Sequence, residues 1–339
     1  MFTQPLRRAL RATLTATLAV LTATACGGGG GGPAAQPPPS LPLTNSSLGD
    51  FPDPQVLEVG GRWFAYATNG NGRNVQVARS SDRIAWTALA DAMPVLASWV
   101  RPGLTWAPEV IAHGGRFLLY YTARDRSSDR QCIGVAVASQ PEGPFVDNRA
   151  APLVCQVAVG GSIDASPLFD NGRLFLYYKN DGNCCGRPTT LWGQELSADG
   201  MAVAGAPVAL LSNQPGTWEG TLIEAPTMWI HEGRYLLFYS ANDFASSAYA
   251  VGYAECASAL GPCVRAANQP LLKSRSDITP GLIGPGHQAL FTVGTQTYMA
   301  YHAWQVGPGG QRGNARFMYI DRVDWVAGVP VVRGPTIVP

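Results

Sequence analysis

Gly114-Gly115-Arg116-Phe117-Leu118-Leu119-Tyr120-Tyr121-Thr122 is a turn that runs into an aromatic-rich strand, and the chain repeats this form. The same order of turn glycine, polar or basic residue and bulky residues recurs at 60–68, 171–179 and 232–240. A more divergent fifth copy is Gly294-Thr295-Gln296-Thr297-Tyr298-Met299-Ala300-Tyr301-His302. With Gly61, Gly115, Gly172, Gly233 and Gly294 as markers, successive copies stand 54 to 61 residues apart.

Each copy is preceded by a short strand that opens on a polar group and followed by a strand of alternating small residues, such as Ile133-Gly134-Val135-Ala136-Val137-Ala138. A turn then leads to a fourth, edge-like strand, marked by Gly143-Pro144-Phe145 in the second copy and Gly261-Pro262-Cys263 in the fourth. Four short strands at a period of about fifty to sixty residues predict an all-β fold, a five-bladed β-propeller of four-stranded antiparallel blades around a central channel. One such sheet cannot bury both faces alone, so the copies stack radially and the first strand of each lines the channel. A β-sandwich with chance similarity would not keep five copies in phase. The 39 glycines and 27 prolines suit many strands joined by tight turns.

Outside the repeats, the first 42 of the 339 residues read as a separate segment. Arg7, Arg8 and Arg11 precede an apolar run, 12–25, too short to span a bilayer but suited to a signal peptide. Ala23-Thr24-Ala25-Cys26 and six glycines follow, so residues 1–26 are expected to be a signal peptide ending at a lipidated Cys26. Residues 27–42 then form a flexible Gly/Pro tether, and 43–339 the propeller. The expected location is outside the cytoplasm, with the membrane reached only through that anchor. Net charge is +1 with 14% charged residues, and no basic stripe invites a nucleic acid. Nothing in the pattern suggests more than a monomer.

An even set of cysteines remains in the body, which in an exported chain favours disulfides. Proximity suggests Cys256–Cys263 and Cys132–Cys155, leaving the adjacent Cys184 and Cys185. A metal site is the rival reading, but the chain has no CxxC pattern to support it.

The polar residues that open the first strands are Asp53, Glu109, Asp164, Glu224 and His287. In a propeller they are expected to converge at one channel mouth. Carboxylates gathered there repel one another, which raises some pKa values and separates an acid from a base. Two carboxylates so separated suit glycoside hydrolysis. Phe51, Trp106 and Trp218 are candidates for stacking on sugar faces, although most tryptophans are expected to be core.

Phe51-Pro52-Asp53-Pro54, Trp106-Ala107-Pro108-Glu109, Ser162-Ile163-Asp164, Ile223-Glu224-Ala225-Pro226 and Gly284-Pro285-Gly286-His287 occur in order and at blade spacing. In this the chain resembles glycoside hydrolase family 43, propeller enzymes acting on arabinose- and xylose-containing polysaccharides. The resemblance implies Asp53 as general base, Glu224 as general acid and Asp164 as the group that tunes and orients that acid. It implies an inverting reaction, with the two carboxyl groups roughly 6.5–9.5 Å apart. It also implies substrate contacts from Trp106, Phe51, His287 and Arg316, no required cofactor, and a structural calcium ion in the channel at His287. Glu109 has no catalytic counterpart and reads as structural. The expected reaction is cleavage of α-L-arabinofuranosyl linkages in plant polysaccharide, favoured over β-xylosidase action because no β-sandwich module follows the propeller. A non-catalytic carbohydrate-binding propeller is the reading from another class.

Overall fold

The aromatic copies are the second strands of five antiparallel sheets in a computed structural model that describes residues 48–307 and 310–335. The first blade is β1 (Gln55–Val59), β2 (Arg62–Ala67), β3 (Gln76–Ser80) and β4 (Thr87–Ala88). The second is β5 (Val100–His113), β6 (Arg116–Asp125) and β7 (Gln131–Ala138). The third is β8 (Ser162–Asp170), β9 (Arg173–Asn180), β10 (Thr190–Leu196) and β11 (Val203–Ser212). The fourth is β12 (Ile223–His231), β13 (Arg234–Ala241), β14 (Ala250–Cys256) and β15 (Cys263–Arg265), and the fifth is β16 (Leu282–Val293), β17 (Gln296–Val306), β18 (Arg312–Val326) and β19 (Val329–Val332). In every blade the strands pair in sequence order. The expected signal peptide, Cys26 and tether lie outside the described residues.

The first strands form a closed ring, since β1 touches β5 and β16, and β8 and β12 complete the circuit. No strand is exchanged between the ends of the propeller among the described residues. The ring closes through loop contacts: Phe51 N–H donates to the Arg316 carbonyl at 2.9 Å, and Arg316 N–H to Asp50 Oδ1 at 2.7 Å.

The second strands are buried on both faces because each is flanked by its neighbours in the ring. Tyr66, Tyr120 and Tyr177 occupy one repeat position, and all three are fully buried. A buried hydroxyl needs a partner, and each reaches a carbonyl in the following blade. Tyr120 donates to Gly200 O at 2.9 Å, Tyr177 to Ala259 O at 2.9 Å, and Tyr66 to Pro141 O. The alternate position faces the opposite side, where Tyr121, Tyr178, Tyr239 and Tyr301 are equally buried. The aromatic periodicity is thus the interblade packing itself.

The second blade departs from the four-stranded expectation. After the turn at Gly143-Pro144 its last segment meets β7 only through the isolated bridges Val137–Val146 and Ile133–Val154. Phe145 N–H is taken at 2.7 Å by Ala92 O of the preceding blade, and Asp147 turns its carboxylate onto Tyr121 and Trp99. The backbone that would extend an edge strand is used for docking. The disulfides Cys132–Cys155 and Cys256–Cys263, which proximity suggested, are formed, and so is Cys184–Cys185, the pair left over.

Candidate active site

One non-glycine residue in the left-handed region lies within each first strand or, for β1, two residues before it: Asp53 (φ 57°), Ala107 (45°), Asp164 (59°), Ala225 (51°) and His287 (51°). Such residues are uncommon outside glycine, and in β5, β8, β12 and β16 the pairing register slips at this point. In three blades proline follows at once (Pro54, Pro108, Pro226), and having no N–H it loses no ladder bond there. These five positions are the true equivalents around the ring. Glu109 lies two residues beyond its bulge and Glu224 one residue before, which corrects the expected set of five matched polar groups.

Neighbouring blades hold these bulges. Thr68 Oγ1 accepts Ala107 N–H at 2.9 Å, and Thr122 Oγ1 accepts Asp164 N–H at 3.2 Å. Ser240 Oγ accepts His287 N–H at 2.8 Å, and His302 Nδ1 accepts Asp53 N–H at 3.2 Å. The acceptors stand at one position of the aromatic repeat, directly after its last bulky residue. In the third blade that position is Lys179, which cannot accept, and Asp164 Oδ2 takes Ala225 N–H instead at 3.0 Å.

Asp53 sits in a cationic and hydrogen-bonding nest. Arg316 lies 3.3 Å from Oδ1, His302 Nδ1 3.1 Å and His287 Nδ1 3.4 Å, while Thr68 donates to Oδ2. Burial alone would push this carboxyl up. The charges of Arg316 and His287 outweigh it and hold Asp53 well below the usual carboxylate range. His302 is fully buried, and burial lowers its imidazole to about 4, so it stands neutral beside Asp53.

Across the same cavity, of about 430 Å³, stand Asp164 and Glu224. Lys179, fully buried, donates from Nζ to Glu224 Oε2 at 2.8 Å, and Tyr249 OH donates to Oε1 at 2.8 Å. Burial raises Glu224, but Lys179 and the Tyr249 bond more than offset it, and the net direction is down. Asp164 goes the other way. Burial first, and the charge of Glu224, push it up to about 6 against the pull of His287 and Lys179. The two carboxyls are thus driven in opposite directions, Glu224 down and Asp164 up.

Trp106, His287 and Arg316 line this cavity. Phe51 does not, being 2% exposed within the core, and Trp218 packs on Tyr239 away from it. Glu109 lines a second cavity of about 390 Å³ along the channel, where burial raises it to about 8. Sequence reading missed His302, Thr68 and Tyr249, while the 179–185 loop, expected at the rim of the cleft, brings Lys179, Asp181, Asn183 and Cys184 to the cavity. Calcium takes six to eight oxygen ligands. Around His287, as among all described residues, no group of three or more His, Cys, Asp or Glu is placed to hold a metal.

A propeller pocket that gathers Asp53, beside His287, His302 and Arg316, with Asp164 and Glu224 around one cavity is consistent with a hydrolase active site. Comparison with known proteins agrees: the model for glycosyl hydrolases family 43 matches residues 46–330, and the chain belongs to that family. It is 24% identical over 307 residues to the probable arabinan endo-1,5-alpha-L-arabinosidase A of Aspergillus clavatus, covering 83% of this chain and 90% of that one. Among solved structures, a thermostable family-43 glycoside hydrolase superposes with a TM-score of 0.78 at 31% identity, over 87% of this chain and 97% of the other. An endo-1,4-beta-xylanase from Bacteroides thetaiotaomicron gives 0.73 at 28% identity, over 85% and 96%.

Proposed function

We propose that the protein is an inverting glycosidase that cleaves α-L-arabinofuranosyl linkages in arabinan or arabinose-bearing hemicellulose. The observation that carries the reading is the electrostatic split across one cavity, with Asp53 held low and Asp164, beside Glu224, raised to about 6. In this reading water attacks the anomeric carbon as Asp53 takes its proton. The glycosidic C–O bond breaks, and the leaving oxygen receives a proton through Glu224. Asp164 keeps that proton in the pair. Arg316 and His287 orient Asp53, and Trp106 offers its ring to the sugar. A secreted, Cys26-anchored monomer is the form in which such an enzyme would meet its polymer.

The arabinan-cleaving relative supports arabinose; the xylanase likeness supports the second reading, a β-xylosidase with the same residues in the same roles. Assays with nitrophenyl arabinofuranoside, nitrophenyl xyloside and linear arabinan separate the two. Arabinan products and little xyloside cleavage are expected. Asp53→Asn and Glu224→Gln should each lower turnover by about a hundredfold or more while the melting transition persists. Wild-type activity on none of the three substrates, or full activity in either variant, contradicts the assignment.

A further inference from the structure

The glycosidase reading leaves one wall of the cavity without a role. β9 ends at Asn180, one residue after Lys179, and the chain turns through Asp181 into a short 3-10 turn, Gly182–Cys185. Asp181, Asn183 and Cys184 line the same cavity as Asp53, Asp164 and Glu224. Asp181 is only 7% exposed, yet the described residues make no hydrogen bond to its carboxylate. Asp181 Oδ1 and Oδ2 are not shut off from the cavity, and a carboxylate left without protein donors at a cavity wall is free to accept a ligand's hydroxyls.

The turn is built to hold that carboxylate still. Asp181 N–H donates to Gly161 O at 3.1 Å, and its carbonyl accepts Cys184 N–H at 3.3 Å. Gly160 (φ 107°) packs so closely that a Cβ there would lie 2.2 Å from Asp181 O. Cys184 and Cys185 are joined to each other, and Arg130 donates to Cys185 Sγ at 3.1 Å, fixing the turn from the neighbouring blade. Cys184 remains exposed at the rim.

We infer that Asp181 and the Cys184–Cys185 disulfide form the subsite for the leaving-group sugar, the carboxylate accepting its hydroxyls and the disulfide covering its less polar face. The side of the cavity decides which sugar is meant. Asp181 follows Lys179, whose ammonium holds Glu224, and Glu224 is the group that meets the leaving oxygen. Burial, opposed by Lys179 and reinforced by Glu224, raises Asp181, which places it within the field of that pair. A carboxylate offers acceptors only, and sugar hydroxyls are donors of the matching kind. A site built to bond a hydroxyl rejects an analogue that lacks it.

The inference rests on the glycosidase reading, and the test separates the two. Wild type, Asp181→Asn, Asp181→Ala and the double variant Cys184→Ser/Cys185→Ser are assayed on two substrates of the pentose that wild type accepts. One is the nitrophenyl glycoside, with no leaving-group sugar, and the other an oligosaccharide. The ratio of kcat/KM, oligosaccharide to nitrophenyl glycoside, should fall at least tenfold in both Asp181 variants, chiefly through KM. The cysteine variant should lower it severalfold. If Asp181→Ala does not fold, the near-isosteric Asp181→Asn decides. A wild type that cleaves both substrates, with the ratio unchanged in folded Asp181→Asn, overturns the subsite alone. A wild type that cleaves neither overturns the glycosidase reading and the subsite with it.

Discussion

Four junctions of the propeller and the one between the third and fourth blades meet the same demand by different chemistry. Each must hold a left-handed bulge whose N–H points into the channel wall. Thr68, Thr122, Ser240 and His302 do so with a neutral acceptor from the preceding blade. At the third–fourth junction the acceptor is replaced by the ammonium of Lys179, and the N–H passes to Asp164. The Thr122 and Ser240 clamps bond no carboxylate oxygen of the pocket, whereas Thr68 and His302 also touch the Asp53 carboxylate. The charged one ties together Asp164, Ala225, Glu224 and Lys179, so that backbone geometry and proton position become one problem. The pocket's acid chemistry arises where the repeat gives up its common solution.

Lys179→Met tests the charged junction most severely. Among the described residues it removes the cation that bonds Glu224, and it leaves a buried carboxyl whose ordinary tendency is to rise. Turnover should drop by about a hundredfold, in the range of a general acid lost. Stability should fall by about 3 kcal/mol at pH 7 and much less at pH 4. The sign follows from the shift: in wild type Glu224 is lowered, so its contribution is present above the unfolded carboxyl range and lost on acidification. In the variant protonated Glu224 needs no partner. Equal destabilisation at both pH values would show that Lys179 acts by packing and not by charge.

Asp164→Asn should sharpen the comparison with a smaller loss of activity, about tenfold, and an opposite effect on stability. Asp164 is raised to about 6, so its stabilising contribution is complete below the unfolded value and is lost as pH rises through 6. Asparagine keeps an acceptor for Ala225 N–H and carries no charge. Thermal melts should therefore coincide near pH 4. By pH 7 the variant should gain up to about 3 kcal/mol, at about 1.4 kcal/mol for each pH unit between the ordinary aspartate value and the raised one. A variant less stable than wild type at pH 7 would mean that the charged form is what the junction needs.

The architecture was legible because aromatic packing between blades repeats at every copy, and so were Asp53, Asp164, Glu224 and His287, because each lies at or beside a bulge. What was not legible has two physical sources. Register within the bulge depends on φ, so Glu109 read as an equivalent of Asp164 although Ala107 occupies that place. Partners from other blades depend on assembly, which hid Tyr249 and the grip of Lys179 on Glu224. The signal for Lys179 and His302 stood in the sequence all the same: both break a run of hydroxyls at the last position of the aromatic repeat. Phe51 failed for a simpler reason, since proximity in sequence to Asp53 says nothing about which way a ring turns from a left-handed residue.

Thr122 gives the mildest test, at a neutral clamp. Its hydroxyl is fully buried and accepts Asp164 N–H at 3.2 Å without touching the Lys179–Glu224 pair. Thr122→Ser keeps the acceptor and loses one methyl group, for which a change of about 1 kcal/mol is expected. Thr122→Val keeps the shape and strands a buried N–H, which should cost about 2 kcal/mol. Because the bulge is over-determined by its blade, turnover at saturating substrate should change by less than about threefold in either, with the pH profile unmoved. If Thr122→Val instead shifts the acid limb of that profile, the neutral clamp feeds into the proton position on Asp164, and the division between neutral and charged junctions fails at its nearest neighbour.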